Sequence, residues 1–104
     1  MFRKTRHIHF IGIGGIGMSG MAELLKKSGF EISGSDSNLS EKTTQLSELG
    51  IKIYGRHNSS NIKGSDVVVY SSAVPLENPE IIEAVKQNIP VIRRAEMLGE
   101  LLKF

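Results

Sequence analysis

Four glycines fall within six residues, Gly12-Ile13-Gly14-Gly15-Ile16-Gly17, and an amphipathic stretch opens directly after them at Met18. Glycine here lets backbone amides approach an anion more closely than a side chain would permit. A helix starting at the same place adds the positive end of its dipole, worth about 0.3 to 1 kcal/mol per favourable charge. The spacing Gly12-x-Gly14-x-x-Gly17 is that of a dinucleotide-binding turn. In such a turn the first glycine makes the bend, the second admits a pyrophosphate and the third lets helix pack on strand. The expected donors are amides from about Gly15 to Met18, Ile16 included. The same glycines also suit a tight strand-to-helix crossing that binds nothing.

Asp36 comes 19 residues after Gly17, close to the roughly 20 at which an acidic residue accepts from a ribose diol. A charge-assisted bond of that kind contributes about 1.5 to 3 kcal/mol. Beside Ser37 and Asn38, Asp36 is also placed to organise a turn. Ser71, Ser72 and Ala73 follow the most valine-rich segment, and the two hydroxyls can serve sugar or phosphate oxygens or merely local backbone. His57, in a polar loop, is a weaker contact candidate, and a solvated loop histidine is the plainer reading. His7 and His9 alternate with apolar residues, which suits strand packing, and no third ligand stands at metal-binding spacing. Arg93 and Arg94 could bind an anionic group or anchor a neighbouring domain, with ordinary exposure expected of at least one. Met18, Met21 and Met97 read as core filler, and with Met1 they form no stripe that demands a cofactor.

The elements that must position these residues alternate. His7 to Ile13 reads as a buried parallel strand, and Met18 to Ser28 as a helix stopped by Gly29. Glu31 to Ser35 is a second strand ending at Asp36. Asn38-Leu39-Ser40-Glu41 offers a capping-box-like start for a helix through Leu49, which Gly50 ends. Ile51 to Tyr54 is a third strand, residues 55–65 a loop or short helix, and Asp66 to Tyr70 the strongest strand. Asn78-Pro79-Glu80 supplies an N-cap, a proline at the first helical position and a carboxylate near the positive dipole end, for a helix to about Gln87. Val91-Ile92 is a short fifth strand, and Ala95 to Lys103 a final helix with Met97, Leu98, Leu101 and Leu102 at helical spacing. This order predicts an α/β, Rossmann-like, doubly wound parallel sheet of five strands ordered 3-2-1-4-5. Ligands are expected at the carboxyl ends, near the switch between strands 1 and 4. There the glycine loop, the Asp36 tip and the Ser71-Ser72-Ala73 tip would share one crevice.

Composition narrows the classes. A chain of 104 residues is expected to form a single domain over residues 1–104. The formal charge of +2 is too small and too dispersed for a nucleic-acid footprint. Cysteine is absent, which removes disulfides and thiolate metal sites and fits a cytoplasmic protein. No apolar run approaches the roughly 18 residues of a membrane span, and Arg3, Lys4 and Arg6 precede a strand-and-glycine pattern rather than a signal-peptide core.

The run from His7 to Met18 resembles the opening of the peptidoglycan-synthesis Mur ligases, in particular those that join L-alanine to UDP-N-acetylmuramate. Ile32-Ser33-Gly34-Ser35-Asp36, Val69-Tyr70-Ser71-Ser72-Ala73, Asn78-Pro79-Glu80 and the stretch from Ile89 to Leu98 fit the amino-terminal domain of that family. The resemblance covers nearly the whole chain. It implies a domain that binds UDP-N-acetylmuramate, with Gly12, Gly14, Gly15, Ile16, Gly17 and Met18 at the diphosphate, and Asp36, Ser71, Ser72 and Ala73 in the nucleotide-sugar pocket. In the family, ATP phosphorylates the lactyl carboxylate and the alanine amine attacks the acyl phosphate, with magnesium serving the ATP step. The family's central domain carries a G-x-x-x-x-G-K-[ST] loop for ATP, and its carboxyl-terminal domain helps bind the amino acid. No such loop occurs here. The expectation is therefore an excised substrate-binding domain, inactive alone and without a cofactor of its own, whose Phe104 lies where the resemblance puts the hinge to the ATP domain. ATP and magnesium are expected for the full-length ligase.

Two other functions share these residues. A nicotinamide-dependent oxidoreductase domain or NAD-sensing regulatory domain would use the same glycines and Asp36, although a dehydrogenase needs a separate catalytic domain. An interaction module with a vestigial pocket is the blander option.

Overall fold

The computed structural model describes residues 4–101. Strand β1 (His7–Ile11) lies at the middle of a five-stranded parallel sheet, between β2 (Glu31–Ser35) and β4 (Val67–Tyr70). Strands β3 (Lys52–Tyr54) and β5 (Val91–Arg93) form the edges, so the order is β3-β2-β1-β4-β5, as the alternation of elements predicts. Helices α1 (Met18–Lys27), α2 (Glu41–Glu48), α3 (Pro79–Lys86) and α4 (Arg94–Leu101) form the crossovers and the closing element, with a 3-10 turn over Ser59–Ile62. Met1 and Arg3 at one end, and Leu102, Lys103 and Phe104 at the other, lie outside the described residues.

Each boundary has an identifiable cause. β1 stops at Ile11, two residues before the apolar run ends, because Gly12 takes φ +78° and the amides of Gly12 and Ile13 both donate to the Ser35 carbonyl, at 2.8 and 3.1 Å. The capping box of α2 is Ser40 with Thr43 rather than Asn38 with Glu41. Ser40 Oγ accepts from the Thr43 amide and Thr43 Oγ1 from the Ser40 amide, while the Asn38 amide is committed to Asp36. α3 opens as expected, with Asn78 capping the Glu80 amide and Pro79 in the first turn. α4 takes up Arg94, one residue earlier than its apolar pattern marks.

The sheet is doubly covered and asymmetric. On one face Ile8, Phe10, Ile32, Val67 and Val69 pack with Met18, Met21, Leu25, Leu46 and Met97 in the larger core. On the other, Ile11, Val68, Ile62, Ile81 and Ala84 form a smaller cluster under α3 and the 3-10 turn. Strand alternation puts His7, His9, Ser33 and Ser35 on that second face, where apolar residues are the norm for a parallel sheet covered on both sides. His9, Ser33 and Ser35 are buried there.

Candidate functional site

Register brings the three tips together. Ile11 pairs with Ser35 on one side and Tyr70 on the other, so Gly12, Asp36 and Ser71 leave neighbouring strands side by side. A Cβ at Gly12 would lie 3.7 Å from Val74 Cγ2, which places the loop after β4 directly against the glycine turn.

Within the turn the amides divide into engaged and bare. The Gly15 amide donates to the Gly12 carbonyl at 3.0 Å and the Met18 amide to the Gly15 carbonyl at 3.1 Å, so these two of the expected donors are used within the loop. The amides of Ile16 and Gly17 have no acceptor among the described residues. Gly17, at φ +82°, is the N-cap of α1 and offers no capping side chain. The Ile16 side chain is fully exposed at the tip, whereas the Met18 side chain is wholly buried and belongs to the core rather than the crevice.

Asp36 turns toward the loop. Its Oδ2 accepts the Gly14 amide at 2.9 Å and its Oδ1 the Asn38 amide at 2.9 Å, so the carboxylate fastens the glycine turn to the start of the α2 connection. A Cβ at Gly14 would come within 2.9 Å of both Asp36 Oδ2 and Thr43 Cγ2, which is why glycine stands there. The turn-organising role is thus visible, and each oxygen keeps a lone pair for a further donor. Asp36→Ala is expected to cost about 1 to 3 kcal/mol of stability in the ligand-free chain, since it strands two backbone donors. Urea unfolding measures this, and an unchanged midpoint would mean the fastening carries no weight.

The hydroxyls of Ser71 and Ser72 have no partner among the described residues. Ser72 lines a depression of about 130 Å³ with Arg93, Arg94 and Ala95. The two arginines separate in role. Arg93 is exposed and pairs with Glu96 at 3.3 Å, a surface contact of little energetic weight. Arg94 is half-buried, and its guanidinium lies over α1's amino end, so a Cβ at Gly17 would meet its Nη1 at 3.0 Å. It has no carboxylate partner among the described residues. The sequence alone does not separate the two arginines. Their signal was that strands β4 and β5 end side by side, which turns the start of α4 toward the start of α1.

His57 is not a free loop histidine. Its Nδ1 lies 2.8 Å from Ser35 Oγ, and Ser35 donates to Glu80 Oε1 at 2.8 Å. Glu80 is completely buried and also accepts from His9, Asn61 and the Asn58 amide. Burial pushes its carboxyl up, but the hydrogen bond and charge of His9, with Asn61 and Asn58, outweigh that and hold it below its ordinary value. In the sequence Glu80 reads only as a dipole-side carboxylate of α3. The clue to more was the polar alternation of His7, His9, Ser33 and Ser35 on strands otherwise apolar.

No group of three or more His, Cys, Asp or Glu among the described residues could hold a metal ion, and no described helix is long and apolar enough to cross a membrane.

Comparison with known proteins adds to this geometry. The family model described as "Mur ligase family, catalytic domain" matches residues 7–104. A UDP-N-acetylmuramate--L-alanine ligase of Syntrophus aciditrophicus (strain SB) is 56% identical over 103 residues, covering 99% of this chain and 22% of that protein. One from Desulfatibacillum aliphaticivorans is 57% identical over 103 residues, covering 99% of this chain and 23% of that protein. Among solved structures, the UDP-N-acetylmuramate-alanine ligase of Thermotoga maritima superposes with a TM-score of 0.89 at 38% identity, over 93% of this chain and 23% of that one. The 104 residues thus span under a quarter of the length of these relatives.

Proposed function

Because the chain belongs to the Mur ligase family, we propose that it binds UDP-N-acetylmuramate as the substrate-holding domain of an L-alanine-adding ligase of peptidoglycan synthesis. One observation carries this reading: the amides of Ile16 and Gly17 at the start of α1 have no acceptor among the described residues, and the Arg94 guanidinium, without a carboxylate partner among them, lies against Gly17. Backbone donors, a helix dipole and a bidentate cation together suit a diphosphate. Ser72 borders the same depression, Ser71 leaves the strand beside Gly12, and Asp36 keeps a lone pair on each oxygen, which suits a nucleotide sugar lying across the three strand ends.

The chain's own part is to hold and orient. Amide ligation needs the carboxylate activated; the sequence has no G-x-x-x-x-G-K-[ST] loop, and no cluster of three or more metal-ligating side chains is present among the described residues. ATP, magnesium and the alanine site therefore fall to other parts of a longer ligase, which works in the cytoplasm, and the isolated 104 residues are expected to turn nothing over.

Thermal unfolding with UDP-N-acetylmuramate, UDP and NAD side by side tests the reading. At 100 times its dissociation constant a ligand adds about 2.7 kcal/mol. Stabilisation is expected from the first, less from UDP and none from NAD, and Arg94→Ala should weaken the response. Stabilisation by NAD alone would overturn the proposal in favour of a nicotinamide-binding domain.

A further inference from the structure

The polar side chains on the second face of the sheet form an unbroken hydrogen-bonded string. His7 Nδ1 faces the Gly64 carbonyl at 3.2 Å, with the Glu31 carboxylate at 3.5 Å. His7 Nε2 lies 2.7 Å from Ser33 Oγ, and Ser33 Oγ lies 2.7 Å from His9 Nδ1. His9 Nε2 then meets Glu80 Oε1 at 2.6 Å. Four links therefore run from the Gly64 carbonyl to the Glu80 carboxylate.

Both ends of this string can only accept. The carbonyl has no proton. Glu80 already receives the Ser35 hydroxyl at 2.8 Å, the Asn61 amide group at 2.8 Å and the Asn58 backbone amide at 3.0 Å, so every group facing it is a donor and the ionised form is the one that fits. Each of the four links needs one hydrogen. Two neutral imidazoles and one hydroxyl supply three.

We propose that His7, Ser33 and His9 together hold one proton more than two neutral imidazoles carry, and that this shared proton is the counter-charge that keeps Glu80 buried as the anchor of the segment bearing His57. The transfer within the string balances: as His7 Nε2–H passes its proton to Ser33 Oγ, the Ser33 hydroxyl proton passes to His9 Nδ1, and the reverse step restores the start. A buried carboxylate left without such a partner would be costly, whereas a paired and fully hydrogen-bonded one is tolerated.

The string runs along β1 and β2 from the amino ends of these strands to Glu80 on α3. His7 lines a cleft with Glu31, Lys52, Tyr54 and Lys63 at the amino ends of the strands, and its backbone amide is held by Asp66 at 2.9 Å. The Tyr54 ring stands 6.3 Å from that of His9. At the other end His57 Nδ1 lies 3.8 Å from Glu80 Oε2 and donates to Ser35, whose own hydrogen is committed to Glu80.

Nitrogen-15 NMR of the imidazoles in the 104-residue chain at neutral pH counts the protons directly. Three N–H hydrogens are expected among the four ring nitrogens of His7 and His9, and two would overturn the proposal without any variant. In Ser33→Ala the count should fall to two, and three would exclude the shared path. Glu80→Gln should speed hydrogen exchange at the Asn58 amide at least tenfold while the β1 and β4 amides keep their protection. Unchanged exchange at Asn58 would show that Glu80 anchors nothing.

Discussion

Glu80→Ala is expected to lower the unfolding free energy by about 3 to 5 kcal/mol, the range for breaking a buried charge pair by removing one partner. The carboxylate is completely enclosed and its loss would strand His9, Ser35, Asn61 and the Asn58 amide at once. Glu80→Gln keeps the volume and one acceptor oxygen but turns its NH2 onto two of the donors, so it should cost less than Glu80→Ala, and the difference between the two reads the packing and the retained acceptor, the charge being lost in both. Urea titration of the three chains is the measurement; a loss below about 1 kcal/mol for Glu80→Ala would mean water takes over the vacated bonds. The sign with acid follows from the depressed carboxyl. Its contribution is fully present above the ordinary glutamate value of 4.5 and drains away as pH falls through the lower folded value. Glu80→Gln should therefore flatten the acid limb of the stability profile.

The second large effect is expected of Gly34→Ala, at about 3 kcal/mol. Gly34 lies in the buried middle of β2, on the face toward α1, and a Cβ there would stand 2.6 Å from Ile13 Cβ and 2.9 Å from Ile13 Cγ1. Ile13 cannot retreat freely, because it is fully buried and its amide is tied to the Ser35 carbonyl. Either β2 moves away from the turn or Ile13 leaves the core. The added methyl would also overlap Ile13 Cδ1, the atom valine lacks, so the double change Gly34→Ala with Ile13→Val should recover part of the loss, and thermal unfolding of both variants against Ile13→Val alone reads the coupling. Additive costs would show that the two sites do not clash.

Much of this architecture is legible in the sequence because its signals are local and redundant. The valines of β4, the Asn78-Pro79-Glu80 helix start and the glycine stops after α1 and α2 each depend on neighbours a few residues away, and each element forms where they say. The strand order is the simplest that alternation and right-handed crossovers allow. Two boundaries shifted for different reasons: β1 ends at Ile11 because Ser35, on the next strand, captures two amides, and Asn38 yields its capping place to Ser40, two residues on, which closes a box with Thr43.

The site was legible to a different degree. Convergence of the Gly12 to Gly17 turn, Asp36 and Ser71 follows from strand order, and the register bears it out. Which amides are bare does not, since that depends on Gly15 and Met18 closing bonds inside the turn. Nor does the difference between Arg93 and Arg94, adjacent in sequence and opposite in setting. The burial of Glu80 among His9, Asn61 and Ser35 joins residues 19 to 71 positions apart, a separation that periodicity cannot span.

Helix α1 begins differently from its neighbours. Ser40 and Asn78 close the first turns of α2 and α3 with their own side chains, whereas Gly17 brings none. A helix begun this way is an unfinished piece of secondary structure, with its opening turn the part most ready to fray. An anion settling on the bare amides would supply the missing cap from outside, so that filling the crevice and completing the helix become one event. Ligand occupancy would then be recorded in the chain's own backbone, as slower hydrogen exchange in the first turn of α1.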